Sequence, residues 1–263
     1  MKNAIYLIFI AFLVGCDTPP PEKKLKQILV FESRVVSGKE VDPRMIEKKI
    51  YNQKGLPTSV LHYDADGKVE SQNTYEYDQK GQEVMDFDQL DGKLSYICKT
   101  TYDKRDSVTK YILYKPNKTL DFTIHVKYDK AGFNFKDVCI NAEGSVNFYD
   151  EFTYDQTGNQ KQWIRYNPDS TVQSKVVYEY NNKNQDTKHI CSGELGGTYS
   201  FKYNKKGLKS EERAWNTDDK QFLWLKVFSY DESDRITKIT EYNSLKDYPK
   251  NPYKTVHYEY KFW

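Results

Sequence analysis

The sequence predicts an all-β chain, an antiparallel meander of hairpin repeats of about 26 residues curled into an open shell, a barrel-like sheet or a superhelical one. Three observations predict it. A strand-and-turn unit, clearest as Thr198-Tyr-Ser-Phe-Lys-Tyr-Asn-Lys-Lys-Gly207, recurs with its turn tyrosine at 51, 77, 102, 128, 154, 180, 203 and 230. The intervals are 26, 25, 26, 26, 26, 23 and 27 residues, the near-constant period of a repeat architecture. The residues leading into each tyrosine alternate apolar with polar, and no amphipathic helical stretch follows the N-terminal apolar run.

At the N-terminus, Lys2 precedes an apolar run from Ala4 to Gly15, too short to remain as a membrane-spanning helix and readable as a signal peptide over residues 1–15. It ends in Leu13-Val-Gly-Cys16, which resembles the lipobox of bacterial lipoproteins at all four positions. That resemblance implies cleavage before Cys16, acylation of its thiol, and a membrane partner reached through it. Residues 16–26, with Pro19-Pro-Pro21 and several charges, read as a flexible tether, leaving 27–263 as a single β-repeat domain. Asp17 resembles an inner-membrane retention signal of enterobacterial lipoproteins, a rule that is not general. An envelope protein is expected, with the outer membrane or cell surface favoured and the inner membrane left open.

Without the first fifteen residues the chain carries 39 basic and 38 acidic side chains, interspersed along its length. No strong field or basic groove steers nucleic acid, which is not an expected partner. Three cysteines remain, Cys98, Cys139 and Cys191, so at least one stays unpaired. Cys139 and Cys191 each lie eleven residues after a repeat tyrosine, and all three are expected as small buried apolar residues.

Each repeat has a second turn about twelve residues after the first, rich in Gly, Asn, Asp and Pro, as at Asp64-Ala-Asp-Gly67 and Asn141-Ala-Glu-Gly144. Two strands per period follow. Leu94, Tyr96, Cys98, Thr100 and Tyr102 share one face; so do Leu120, Phe122, Ile124, Val126 and Tyr128, and Phe222, Trp224, Lys226, Phe228 and Tyr230. With a leading strand from Gln27 to Val36, the turn spacing implies on the order of seventeen strands. A flat sheet of that length would leave one aromatic face in water, so it must bend. Val256 to Trp263 reads as a closing strand, and charge on both faces of Lys209-Ser-Glu-Glu-Arg213 argues against a bilayer-facing barrel.

The Tyr-Asp-x-x-Gly turns and their aromatic strands resemble the YD-repeat (Rhs-type) proteins from about Tyr51 to Tyr260. That resemblance implies a spiralling β-shell. The chain departs from the pattern where Asp106, Asn184 and Asp234 replace the turn glycine. No autoproteolytic segment or toxin domain follows the repeats, so a toxin-encapsulating role is not expected. The period and turns are also similar, more weakly, to the MORN-like repeats of short bacterial antitoxins.

Candidate chemistry is sparse. The four histidines, His62, His125, His189 and His257, lie 63, 64 and 68 residues apart, with no paired ligands, and are expected to face solvent. Neither a nucleophile elbow nor a phosphate loop is present, and no enzymatic activity, cofactor or metal is expected. Asp64, Asp66 and Glu70 lack the spacing of a calcium loop and read as an acidic turn. The inward tyrosines are expected to serve as core, whereas Trp163 and Trp215, on the shorter return strands, are the candidates for surface recognition. Asp106-Ser-Val108 and Asp169-Ser-Thr171 resemble a low-specificity O-glycosylation signal of Bacteroidetes. The expected function is a lipid-anchored, non-enzymatic binding or scaffold module for a glycan or protein ligand; the alternative is an immunity or antitoxin-like lipoprotein that neutralises a toxin.

Overall fold

The computed structural model describes residues 24–216 and 221–263, and every regular element among them is a strand. In chain order they are β1 (Leu25–Val36), β2 (Lys39–Tyr51), β3 (Pro57–Tyr63), β4 (Val69–Tyr77), β5 (Glu83–Leu90), β6 (Lys93–Tyr102), β7 (Val108–Tyr114), β8 (Leu120–Tyr128) and β9 (Asn134–Asn141). They continue with β10 (Val146–Tyr154), β11 (Gln160–Tyr166), β12 (Val172–Tyr180), β13 (Asp186–Gly193), β14 (Gly197–Tyr203), β15 (Lys209–Trp215), β16 (Phe222–Tyr230), β17 (Ile236–Tyr242) and β18 (Lys254–Phe262). The expectation of about seventeen falls one short because the closing strand β18 adds to the eight hairpins and the leading strand. That leading strand begins at Leu25, so Leu25 and Lys26 belong to the sheet and not to the tether. The signal peptide, Cys16 and residues 17–23 of the expected tether lie outside the described residues.

Each strand pairs antiparallel with the next, and β1 pairs on its other side with β18, Val30 lying opposite both Glu47 of β2 and Tyr258 of β18. The 18-stranded meander is therefore a closed barrel, which leaves none of the described strands as a bare edge. Closure resolves the choice that the sequence left open among an open shell, a barrel and a superhelix.

The tyrosine turns form one rim. In all eight, the Asn or Asp after the tyrosine turns its side-chain oxygen back onto the backbone: Asp155 Oδ1 accepts from the N–H groups of Thr157 at 2.8 Å and Asn159 at 2.9 Å, and Asn181 does the same for Lys183 and Gln185. The fourth residue of the turn needs a positive φ, and Gly158 supplies it at 89° with the Phe133 ring 3.2 Å from where a Cβ would stand. Asp106, Asn184 and Asp234 hold the same conformation at 63°, 58° and 61°. Asp and Asn tolerate the left-handed region better than other side chains, so the turn survives the loss of glycine.

The tyrosines then tie each hairpin to its neighbour. Tyr77, Tyr102, Tyr154, Tyr180, Tyr203 and Tyr230, each ending an even-numbered strand, donate from the phenol hydroxyl to the first carbonyl of the preceding strand, at 2.6–2.8 Å. Tyr260 of β18 continues the row onto Ile236 at 2.8 Å.

The face that carries these tyrosines points into the barrel. Cys98, Leu113, Ile124, Cys139, Val176 and Ala214 are buried on it. The other face carries Lys99, Lys127, Lys175, Glu179, Lys202 and Lys238 rather than a continuous apolar band. Only twelve apolar side chains are buried among the described residues, fewer than one per strand, and the inward tyrosines remain half-buried. The aromatic rows thus line the lumen without filling it.

Candidate functional site

The lumen holds a cavity of about 490 Å³ where β16, β17, β18, β1, β2, β3 and β4 curve around it. Pairing in register fixes which side chains enter. Lys226 lies opposite Glu241, Glu241 opposite Lys254, Val256 opposite Glu32, Val30 opposite Glu47, and Glu47 opposite His62. Residues from both ends of the chain therefore meet only because the sheet closes.

Most of the charge on this wall is already paired. Lys254 Nζ reaches Glu32 at 2.9 Å and Glu241 at 3.3 Å, Arg44 joins Glu32 at 3.0 Å, and the Tyr253 hydroxyl donates to Glu241 at 2.8 Å. Glu47 is held by Lys49 at 3.2 Å, with His62 at 3.8 Å. Burial by itself would raise the Glu32 carboxyl, yet hydrogen bonds from Lys254 and Arg44 outweigh it and hold the group below the usual carboxylate range. Burial, followed by the charges of Glu47 and Glu241, pushes the Tyr258 phenol up to about 12. The wall thus presents fixed donors and acceptors beside aromatic faces.

Further round the lumen, Asp86 of β5 stands opposite Tyr75 and Cys98, and its Oδ1 is buried without a hydrogen-bond partner. Burial, then the nearby Glu83 and Asp88 carboxylates, pushes it up to about 7. Asp137 is pushed to about 6, chiefly by burial, opposite an Asp150 whose two oxygens accept from Nε and Nη2 of Arg165, each at 2.8 Å.

Of the two tryptophans expected as surface platforms, Trp163 is placed differently. It lies opposite Phe152 and Val176, on the inner face, with the Arg165 guanidinium 5.3 Å from its ring. Trp215 lies opposite Thr198 on the outer face, edge-on to Phe222 at 6.3 Å, and the structure does not bring the two together. The histidines also divide. His125 and His257 face outward, whereas His62 borders the cavity and His189 points inward, paired with Asp186 and packed between Tyr178 and Phe201.

Cys98, Cys139 and Cys191 are all buried and unpaired, and burial pushes the thiols of Cys98 and Cys139 up to about 12, far from the thiolate form that a nucleophile requires. No group of side chains that could hold a metal ion occurs among the described residues. Asp64 Oδ1 instead accepts the N–H groups of Asp66 and Lys68, as expected of a turn.

Sequence reasoning named none of the cavity-lining ion pairs. Their signal was period-2 placement on the tyrosine face, which Lys254 shares with Val256, Tyr258 and Tyr260.

No protein-family model matches the chain, and no curated protein matches it. Among solved structures it is similar to TcdB2-TccC3, with 13% identity and a TM-score of 0.41 over 86% of this chain and 15% of that one. It is similar in the same way to the Photorhabdus luminescens Tc holotoxin pore, of which it spans 14%. A porin-like protein from Bacteroides uniformis aligns at 8% identity and a TM-score of 0.45, over 90% of this chain and 98% of that one. Likenesses this remote bear on neither partner nor activity.

Proposed function

We infer that the chain is a lipid-anchored, YD-type repeat protein of the bacterial envelope whose barrel acts as a non-enzymatic binding or scaffold module for a glycan or protein. The observation that carries the binding role is the lumen, whose aromatic rows are left half-exposed around a cavity of about 490 Å³. A shell that served only as a spacer would gain stability by filling that space with apolar side chains. The volume falls within the range of about 300–1,000 Å³ usual for small-molecule sites.

The anchor rests on the Leu13-Val-Gly-Cys16 pattern and on the place where β1 starts. Lys24 lies beside the C-terminus, its carbonyl accepting from Trp263 N–H at 2.9 Å, at the rim formed by the tyrosine turns. Capture from native envelope on the lipidated protein tests the module: recovery of a defined glycan or protein supports it, and recovery of a toxin would favour the immunity role. The anchor is tested separately by Cys16→Ser, which should move the protein from the membrane to the soluble fraction.

A further inference from the structure

Lys226 stands apart from the other basic side chains of the inner face. Arg44, Lys49, Arg165, Lys209 and Lys254 are each in an ion pair, at 2.8–3.2 Å. Lys226 lies directly between two carboxylates, Glu212 on one neighbouring strand and Glu241 on the other. Both are committed elsewhere. Glu212 bonds Lys209 at 3.2 Å, and Glu241 takes Lys254 and the Tyr253 hydroxyl. Among the described residues Lys226 has no ion-pair partner, and its ammonium sits 4.5 Å from the Trp224 ring, on the wall of the cavity.

A half-buried ammonium gives up part of its hydration, a cost that an anionic partner offsets. The rest of the wall limits what that partner is. The Glu32, Glu47 and Glu70 carboxylates, the Ser71 hydroxyl and the His62 imidazole offer both acceptors and donors, a set suited to hydroxyl groups. Tyr63 and Tyr258 add aromatic surface to the wall of the kind on which a sugar ring stacks. A simple inorganic anion would leave most of these groups without a contact.

We propose that the lumen cavity binds an acidic saccharide, its carboxylate on Lys226 and its hydroxyls on the paired carboxylates across the cavity. The proposal deepens the reading of the barrel as a binding module and rests on it. Titration calorimetry on the full chain with digalacturonate and with its neutral methyl ester tests it. The acid should bind, Lys226→Gln should weaken it at least tenfold, Lys226→Arg should stay within about threefold, and the ester should bind at least tenfold more weakly and be indifferent to the variants. Thermal unfolding of both variants confirms that the barrel is intact. Absence of binding by the acid, or equal binding by Lys226→Gln, overturns the proposal. Equal binding of the ester overturns the role of the carboxylate while leaving the binding module standing, and a protein captured from the envelope with no saccharide bound would do the same.

Discussion

Tyr180 and Gln160 meet across neighbouring strands, the phenol hydroxyl that ends β12 donating to the carbonyl that starts β11 at 2.8 Å. The same bond recurs round the rim at Tyr77, Tyr102, Tyr154, Tyr203 and Tyr230, so each of these tyrosines is both a turn marker and a cross-link to the strand before it. Tyr180→Phe removes one such bond and leaves the ring in place. The expected cost is about 1 kcal/mol, seen as a Tm lower by roughly 2–4 °C in a domain of this size. An unchanged Tm would show that the hydroxyl row is incidental.

Asp155 illustrates why Asn and Asp interchange after the tyrosine. A hydrogen bond from the Thr157 hydroxyl, reinforced by Asn159, holds its carboxyl down at about 2. The folded value lies below the ordinary 3.8, so the charged form stabilises the turn above about pH 4, and that contribution is lost as pH falls towards 2. Asp155→Ala should therefore lower Tm at pH 7 and differ little from the parent near pH 2. Asp155→Asn, which keeps the acceptor oxygen that Asn52, Asn181 and Asn204 use, should unfold close to the parent at neutral pH.

Asp86 has the opposite sign. Its folded value of about 7 lies above the ordinary 3.8, so the stability it contributes is full below about pH 4 and is lost as pH rises through 7. Urea unfolding at pH 5 and pH 8 should show the parent weaker at the higher pH. Asp86→Asn should narrow that difference, and a difference of the same size in the variant would remove Asp86 as its source.

Trp163 and Trp215 make a matched pair for separating lumen from exterior. Trp163→Ala empties space between Phe152 and Val176 and should cost about 3 kcal/mol in urea unfolding, near the lower end for a large aromatic because the site is only half-buried. Trp215→Ala acts on the outer face and should leave saccharide binding in the lumen unchanged. Loss of that binding in Trp215→Ala alone would place the ligand outside the barrel.

Much of this architecture is legible in the chain. Tyr-Asx turns announce themselves because a short side-chain oxygen and a positive-φ residue are local requirements, and period 2 reports the inner face wherever a strand runs without interruption. The return strands were harder to read. The register shifts between Thr153 and Tyr154 and again between Arg165 and Tyr166, so counting back from a tyrosine does not say which way Trp163 points. Closure was not legible either, because Val256 or Val30 reads as an inward strand residue whichever strand lies beside it. The cavity escaped for the same reason: Glu32, Glu47, Glu241 and Lys254 are far apart in sequence and become a wall only when β1 meets β18.

The seam between β1 and β18 is what closes the barrel. Gln27 of β1 and Lys261 of β18 are paired in register on the outer face, so cysteines at both positions would have Cα atoms within about 5.5 Å. The three native thiols are buried and should not compete. Under mild oxidation Gln27→Cys/Lys261→Cys should form an intramolecular disulfide as completely as the control pair Glu179→Cys/Lys188→Cys, which are partners within one hairpin of the meander. A control that closes while the seam pair stays reduced, or cross-links only between molecules, would mean an open sheet and contradict the lumen on which the proposed function depends.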